Sequence, residues 1–153
     1  MHIVLYHPEI PPNTGNIARL CAATNTRLHL IEPLGFSLDD RYLKRAGLDY
    51  WPNVTLALWP DLDAYRSDQG AGRRLIMTSA RQGTPVHKFR FRADDALLFG
   101  SESTGLPPEL WNLAAGSVRI PTLDTVRSLN LSTAAGIILY QGLIRTGGLA
   151  DWL

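Results

Sequence analysis

Six short apolar runs, separated by helical patterns, limit the folds open to this chain more than any other feature. His2 to Tyr6, Arg27 to Ile31, Val54 to Trp59, Leu75 to Thr78, Ala96 to Phe99 and Val118 to Ile120 all have strand length. Ile3, Val4 and Leu5 form the continuous apolar run expected of a strand buried on both faces. Between the runs the spacing predicts helices. One is capped at Asn13 or Thr14 and ends near Ala23, and one opens at Asp39 or Asp40 and stops at Gly47. Another runs from Asp61 to about Arg66, and a short one covers Glu109 to Leu113. Arg81 to Arg92 reads as a polar loop with a short edge piece. Strand–helix alternation of this kind predicts an α/β fold, a mainly parallel sheet flanked by helices. No repeat, low-complexity tract or long linker divides the 153 residues, so a single domain over 1–153 is expected.

The last helix is predicted from about Asn130. Ala134, Ala135, Ile137, Ile138, Leu139, Leu143 and Ile144 leave little room for a wet face, so the helix should be mostly buried. Gly136 and Gly142 weaken it by roughly 1 kcal/mol each relative to Ala, which suggests another backbone passing close by. Asn130 or Ser132 can cap it. The polar loop before it, Thr122 to Ser128, brings Ser128, Asn130 and backbone N–H groups together. That arrangement suits a polar ligand and an ordinary cap equally well.

Composition narrows the function classes. The chain is 45% hydrophobic and 19% charged, as in soluble globular proteins. No window reaches the ~18 apolar residues of a membrane span. The opening MHIVLYHPEI lacks the charged start of a secretory signal. The one cysteine, Cys21, fits a reducing cytoplasm and reads as a small core residue. His2, His7, His29 and His87 are dispersed without ligand spacing, so no metal is expected. The net charge is only +1, but its distribution is uneven. From Arg41 to Arg92 there are ten Lys/Arg against four acids, and from Ala93 onward three against six. A phosphate-facing side is compatible with that asymmetry, as is plain surface solvation.

Three loops that leave strand ends have unusual compositions: HPEIPPNTGN, GSESTGLP and TLDTVRSLNLS. Ligands in open α/β sheets sit at the carboxyl ends of strands. After the first loop, Ile17, Leu20, Cys21 and Thr24 have core-facing spacing. Arg19 lies roughly 200° round from Ile17 and shares a face with Asn16. An Asn/Arg cluster near a helix start suits a phosphate or sugar hydroxyl, though a solvated arginine has the same pattern. The second loop is neither a P-loop nor a dinucleotide fingerprint.

Taken together, N-T-G-N-I-A-R-L, L-F-G-S-E-S-T-G-L-P and R-I-P-T-x-x-x-x-x-S-L-N-L-S resemble the three motifs of the SPOUT superfamily of RNA methyltransferases, in its 2′-O-ribose branch. PEIPPNTGN, IEPLGF, RAGLDYW and the chain length resemble the small single-domain tRNA (cytidine/uridine wobble) 2′-O-methyltransferase group, TrmL. The resemblance covers essentially the whole chain. It implies a SPOUT fold with a C-terminal trefoil knot, a cytoplasmic homodimer, and 2′-O-methylation of the wobble ribose at position 34 of tRNA from S-adenosylmethionine. Related alternatives are a ribose methyltransferase for another tRNA or rRNA site, and a non-catalytic RNA-binding relative.

The resemblance also implies site residues. Met77, Thr78, Gly100, Glu102, Ile120, Leu123, Ser128 and Leu131 would hold the cofactor. Arg19 matches the residue that activates the 2′-hydroxyl, with Asn16 and Asn130 orienting substrate or loop. A guanidinium is a poor proton acceptor, so a phosphate clamp or alkoxide stabiliser suits Arg19 as well as a base does. Asn13, Arg41, Lys44, Arg45, Lys88 and Tyr140 would meet the anticodon stem-loop, Tyr140 across the dimer. No metal is implied.

Overall fold

A computed structural model describes residues 1–47 and 51–152. Residues 48–50 of the RAGLDYW segment lie outside the described residues. In chain order the elements are β1 (His2–Tyr6), α1 (Pro11–Thr24), β2 (Arg27–Ile31), α2 (Arg41–Gly47), β3 (Leu56–Trp59) and α3 (Leu62–Ser67). They continue with β4 (Leu75–Thr78), β5 (Thr84–Pro85), β6 (Ala96–Phe99), a 3-10 helix over Pro108–Leu113, β7 (Gly116–Arg119) and α4 (Leu131–Thr146). The strands form one parallel sheet in the order β3-β2-β1-β6-β4-β7-β5.

Alternate residues along each strand feed two cores, one on each sheet face. Ile3, Leu5, Leu28, Leu30, Ile76, Leu97 and Phe99 pack with Ile17 and Cys21 of α1 and with Ile138 and Leu139 of α4. Val4, Met77 and Leu98 pack with Leu62 and Tyr65 of α3. Cys21 is fully enclosed, and burial pushes its thiol up to about 12, as suits a core residue rather than a nucleophile.

Several boundaries differ from the sequence expectation. α1 begins at Pro11 with Ile10 as its cap residue, not at Asn13 or Thr14. Two prolines fit there because the first helical N–H groups have no intrahelical partner anyway. β7 starts at Gly116, a poor strand former, because pairing with β4 overrides its propensity. α4 is not buried all round. Ala135, Ile138, Leu139, Gly142 and Leu143 are buried, whereas Ile137, Tyr140 and Ile144 form an exposed apolar strip. No backbone crowds its glycines: Gly136 has open space beside it, and Gly142 meets the Met1 side chain.

Asp95 is fully buried. Its carboxylate takes two 2.8 Å hydrogen bonds from Arg74 and one from the Arg92 N–H. Two of the scattered histidines, His2 and His29, also converge. Trp59 Nε1 donates to His29 Nδ1 at 3.0 Å, so the neutral His29 ring carries its proton on Nε2. That nitrogen lies 3.1 Å from His2 Nδ1, which is also 3.1 Å from the Tyr65 hydroxyl. Burial, then repulsion from His29 and Arg73, brings His2 down to about 3. Burial, then Arg27 and Arg73, brings His29 down to about 4.

Both rings stay neutral in the fold but take up protons below about pH 6.5 once the chain unfolds. Their contribution to stability is therefore complete above that pH and declines as pH falls toward the folded values. The slope approaches ~2.7 kcal/mol per pH unit for two groups. The urea midpoint is expected to hold near neutral pH and drop steeply below it, and an unchanged midpoint at pH ~5 would contradict this arrangement.

Candidate active site

Parallel pairing decides which loops meet. β1 lies beside β6, with Leu5 opposite Phe99, so the loops after Tyr6 and Phe99 leave the same sheet edge side by side. β4 lies between β6 and β7, with Thr78 opposite Val118, which brings the loop after Arg119 to the same edge. From β1 the chain runs to β2 and β3 on one side, crosses to β4 on the other, and later fills the place beside β1 with β6. This is a topological switch point, where open α/β sheets hold ligands. A cleft of about 1210 Å³ opens there. Phe99, Ile120, Leu131, Ala134 and Ile138 supply its apolar wall, and Thr78, Ser128 and Asn130 its polar edge. Arg81 and Arg127, both exposed, also line it.

The loop after β6 is a tight turn. The Gly105 N–H donates to the Ser101 carbonyl at 2.9 Å, and the Ser101 and Thr104 hydroxyls are 2.7 Å apart. Gly105 has φ +68, and a Cβ on Gly100 would lie 2.2 Å from the Gly105 carbonyl carbon. Both glycines are therefore required by the turn. Glu102 directs its carboxylate at the start of α1. Oε2 accepts from the Glu9 N–H at 2.8 Å and Oε1 from the Ile10 N–H at 3.3 Å.

The loop before α4 is fixed by Asn130. Its Oδ1 accepts from the Ser132 and Thr133 N–H groups at 2.9 and 3.3 Å, the cap expected from the sequence. Its Nδ2 donates to Asn13 Oδ1 at 2.9 Å. Asn13 is buried in the first turn of α1, so this one side chain ties the starts of α1 and α4 together.

Of the residues expected around a ligand, the structure gathers Thr78, Glu102, Ile120, Ser128, Asn130, Leu131 and Asn13 at the cleft. Gly100 forms the backbone between two lining residues, Phe99 and Ser101. Met77 does not line the cleft: strand alternation points it into the opposite core, fully buried. Leu123 stands 80% exposed on the loop, outside the cleft wall. Asn13 faces Asn130 rather than solvent. Asn16 and Arg19 share the exposed face of α1, as their spacing predicts, and lie outside the cleft lining. Arg41, Lys44 and Arg45 are exposed on α2, where Arg41 donates to the Tyr42 hydroxyl at 2.9 Å and Lys44 pairs with Asp39 at 3.3 Å. Lys88 is exposed on the loop after β5, and Tyr140 on the apolar strip of α4. Sequence reasoning missed Gln82, Trp111 and Arg127 as lining residues. Trp111 lies in a short 3-10 helix whose facing no periodicity reveals.

The cleft thus offers an apolar slot, hydroxyl and amide groups, and two cations. Glu102 is its one carboxylate among the described residues, and both of its oxygens are engaged. Among the described residues, no group of three or more His, Cys, Asp or Glu is placed to hold a metal ion.

Residues 1–140 match the SpoU rRNA Methylase family. The chain is 46% identical over 149 residues to the tRNA (cytidine(34)-2′-O)-methyltransferase of Aeromonas hydrophila, covering 96% of this chain and 95% of that protein. A solved structure described as giving structural insights into the 2-OH methylation of C/U34 on tRNA superposes with TM-score 0.89 at 47% identity, covering 94% of each chain. The SpoU methyltransferase AviRb of Streptomyces viridochromogenes, solved with the cofactor AdoMet, superposes with TM-score 0.81 at 25% identity, covering 95% of this chain and 60% of that one.

Replacing Asn130 by Ala removes the α4 cap and strands the buried Asn13 oxygen. The expected loss is ~1–3 kcal/mol of unfolding free energy. Asn13→Ala combined with it should cost less than the sum of the two, because the bond between them is already gone. Additive losses in urea titrations would mean that the cross-helix bond carries nothing.

Proposed function

The chain belongs to the SpoU rRNA Methylase family, and from that premise we propose that it is a methyltransferase acting on the ribose 2′-hydroxyl of cytidine or uridine 34 in the tRNA anticodon loop. The observation that carries this reading is the cleft where the loops after β4, β6 and β7 converge beside the start of α1. The Aeromonas hydrophila relative, matched over nearly its whole length, supports the substrate.

The cleft fits S-adenosylmethionine. At about 1210 Å³ it exceeds the ~300–1,000 Å³ of a usual small-ligand pocket, which leaves room for a ribose beside a nucleoside cofactor. Ile120, Leu131 and Phe99 offer apolar surface for an adenine, and Thr78 and Ser128 hydroxyls for the polar parts. When bound, this cofactor supplies a methyl group that is already electrophilic. The protein is left to hold the 2′-hydroxyl in line and to manage its proton. Glu102 is committed to the start of α1, its two oxygens accepting the Glu9 and Ile10 N–H groups. Arg19, on the outer face of α1 with Asn16, acts by charge. Its guanidinium holds the neighbouring phosphate or the developing alkoxide, and the proton leaves to a phosphate oxygen or to water. Asn130 positions the loop before α4 rather than taking part in proton transfer. Arg81 and Arg127 at the cleft, with Arg41, Lys44, Arg45 and Lys88 further out, serve the RNA backbone.

The assembly belongs to the same proposal. Ile137, Tyr140 and Ile144 follow i, i+3, i+7 spacing on one exposed face of α4. A strip of this kind suits a homodimer interface, and Tyr140 there would reach the partner's RNA. We place the protein in the cytoplasm; among the described residues no helix is long and apolar enough to cross a membrane. Cell fractionation that recovered it in the membrane pellet would contradict this. The trefoil knot implied by the family is carried with the proposal, and a crystal structure tests it directly.

Labelled S-adenosylmethionine incubated with tRNA should transfer label with the wild-type protein. Arg19→Ala should reduce the rate ~100-fold or more while leaving cofactor binding intact. Equal rates would remove Arg19 from the mechanism, and binding without transfer by the wild type would favour a non-catalytic relative.

Ile144→Glu should convert a dimer into monomers in sedimentation velocity, because a buried unpaired carboxylate opposes association. A wild-type protein that sediments as a monomer would overturn the dimer.

A further inference from the structure

α1 begins without a cap of its own. Ile10 has no side-chain oxygen, and Pro11 and Pro12 have no N–H. The N–H groups just before the helix, those of Glu9 and Ile10, are both taken by Glu102, at 2.8 and 3.3 Å. A carboxylate from the loop after β6 thus sits at the positive end of a helix more than 90 residues away in sequence. Glu9 returns the contact, its Oε1 accepting from the Ser103 hydroxyl at 2.6 Å. On the far side the Gly35 N–H donates to the Pro8 carbonyl at 2.9 Å, and a Cβ on Gly35 would lie 2.8 Å from Glu9 Cα. The loop after β2 therefore blocks any retreat. With the Asn13–Asn130 bond, the first turn of α1 is held from three loops, two of which line the cleft. Arg19 stands nine residues beyond Ile10 on the same helix, ~13.5 Å along its axis. Its place follows from where that first turn is held.

We infer that Glu102 is a positioning residue, whose carboxylate ties α1 to the cleft wall and so sets where Arg19 meets the RNA. It is neither a cofactor ligand nor a proton acceptor. The inference rests on the methyltransferase reading for its kinetic consequence only, because the tie itself is a property of the fold.

The test uses the full chain with Glu102→Ala, Glu102→Gln and Glu102→Asp. Three measurements are made: affinity for S-adenosylhomocysteine by calorimetry, single-turnover methyl transfer to tRNA at saturating cofactor, and amide hydrogen exchange across residues 9–16. Glu102→Ala should leave the affinity little changed, slow transfer ~100-fold, and raise exchange in the first turn of α1. Glu102→Gln keeps an oxygen for one of the two N–H groups and should recover part of the rate. Glu102→Asp, a methylene shorter, should not. Combined with Arg19→Lys, the losses should be strongly non-additive, because both act through the same guanidinium.

A roughly tenfold weaker affinity with an unchanged saturated rate would make Glu102 a cofactor ligand. Recovery by Asp but not Gln would make its charge the essential feature. Multiplying losses would separate it from Arg19. If Glu102→Ala fails to fold, Ser103→Ala loosens the same latch more mildly and should give the same pattern at smaller size; the wild-type pattern in that variant would overturn the proposal. Should the wild-type protein transfer no methyl group, the methyltransferase reading fails by itself. Exchange then decides the tie, and unchanged protection at residues 9–16 in Glu102→Ala would overturn it.

Discussion

The parallel pairing of β1 with β6 is the contact on which the rest of the molecule depends. These strands are separated by some ninety residues, yet Leu5 lies opposite Phe99. Without that neighbourhood, Glu102 would not reach the Glu9 and Ile10 N–H groups, and α1 would begin with uncompensated donors. With it, the side chains that fix the two helices all project from one sheet edge. The two cores, one on each face, supply the apolar burial that holds β1 and β6 in the sheet's middle.

The site is consequently built more from positioning than from reactive groups. Asn130 spends both ends of its amide on structure, capping α4 and holding Asn13. Glu102 spends both oxygens on the start of α1. What remains at the cleft is an apolar slot, a few hydroxyls and two cations, Arg81 and Arg127. That inventory suits transfer of an already activated group to an alcohol, where orientation and charge stabilisation supply most of the rate.

Much of this was legible in the sequence. β1, β2, β4 and β6 follow their apolar runs residue for residue, because a strand buried on both faces leaves little else for such runs to do. The Asn130 and Asp61 caps were readable from local chemistry alone. What stayed hidden depended on long-range partners. Asn13 looks like a cap in isolation, but a double proline moves the cap three residues earlier, to Ile10, and frees Asn13 to meet Asn130. Met77 and Thr78 are neighbours in sequence and face opposite sides of the sheet, so only the Thr78 side chain joins the cleft lining. Asp95 and the His2–His29–Trp59–Tyr65 group carry no local signature, because their partners come from different strands. α4 reads as buried because its composition is apolar all round, and composition does not say that Ile137, Tyr140 and Ile144 stay exposed.

In the proposed function these loops present one ribose of tRNA to an activated methyl group. The most direct measurement is mass spectrometry of ribonuclease fragments from tRNA after incubation with the protein and S-adenosylmethionine. A single added methyl group is expected on the ribose of nucleotide 34, absent when the cofactor is omitted. A methyl group on a base, or on the ribose of another nucleotide with position 34 untouched, would contradict it.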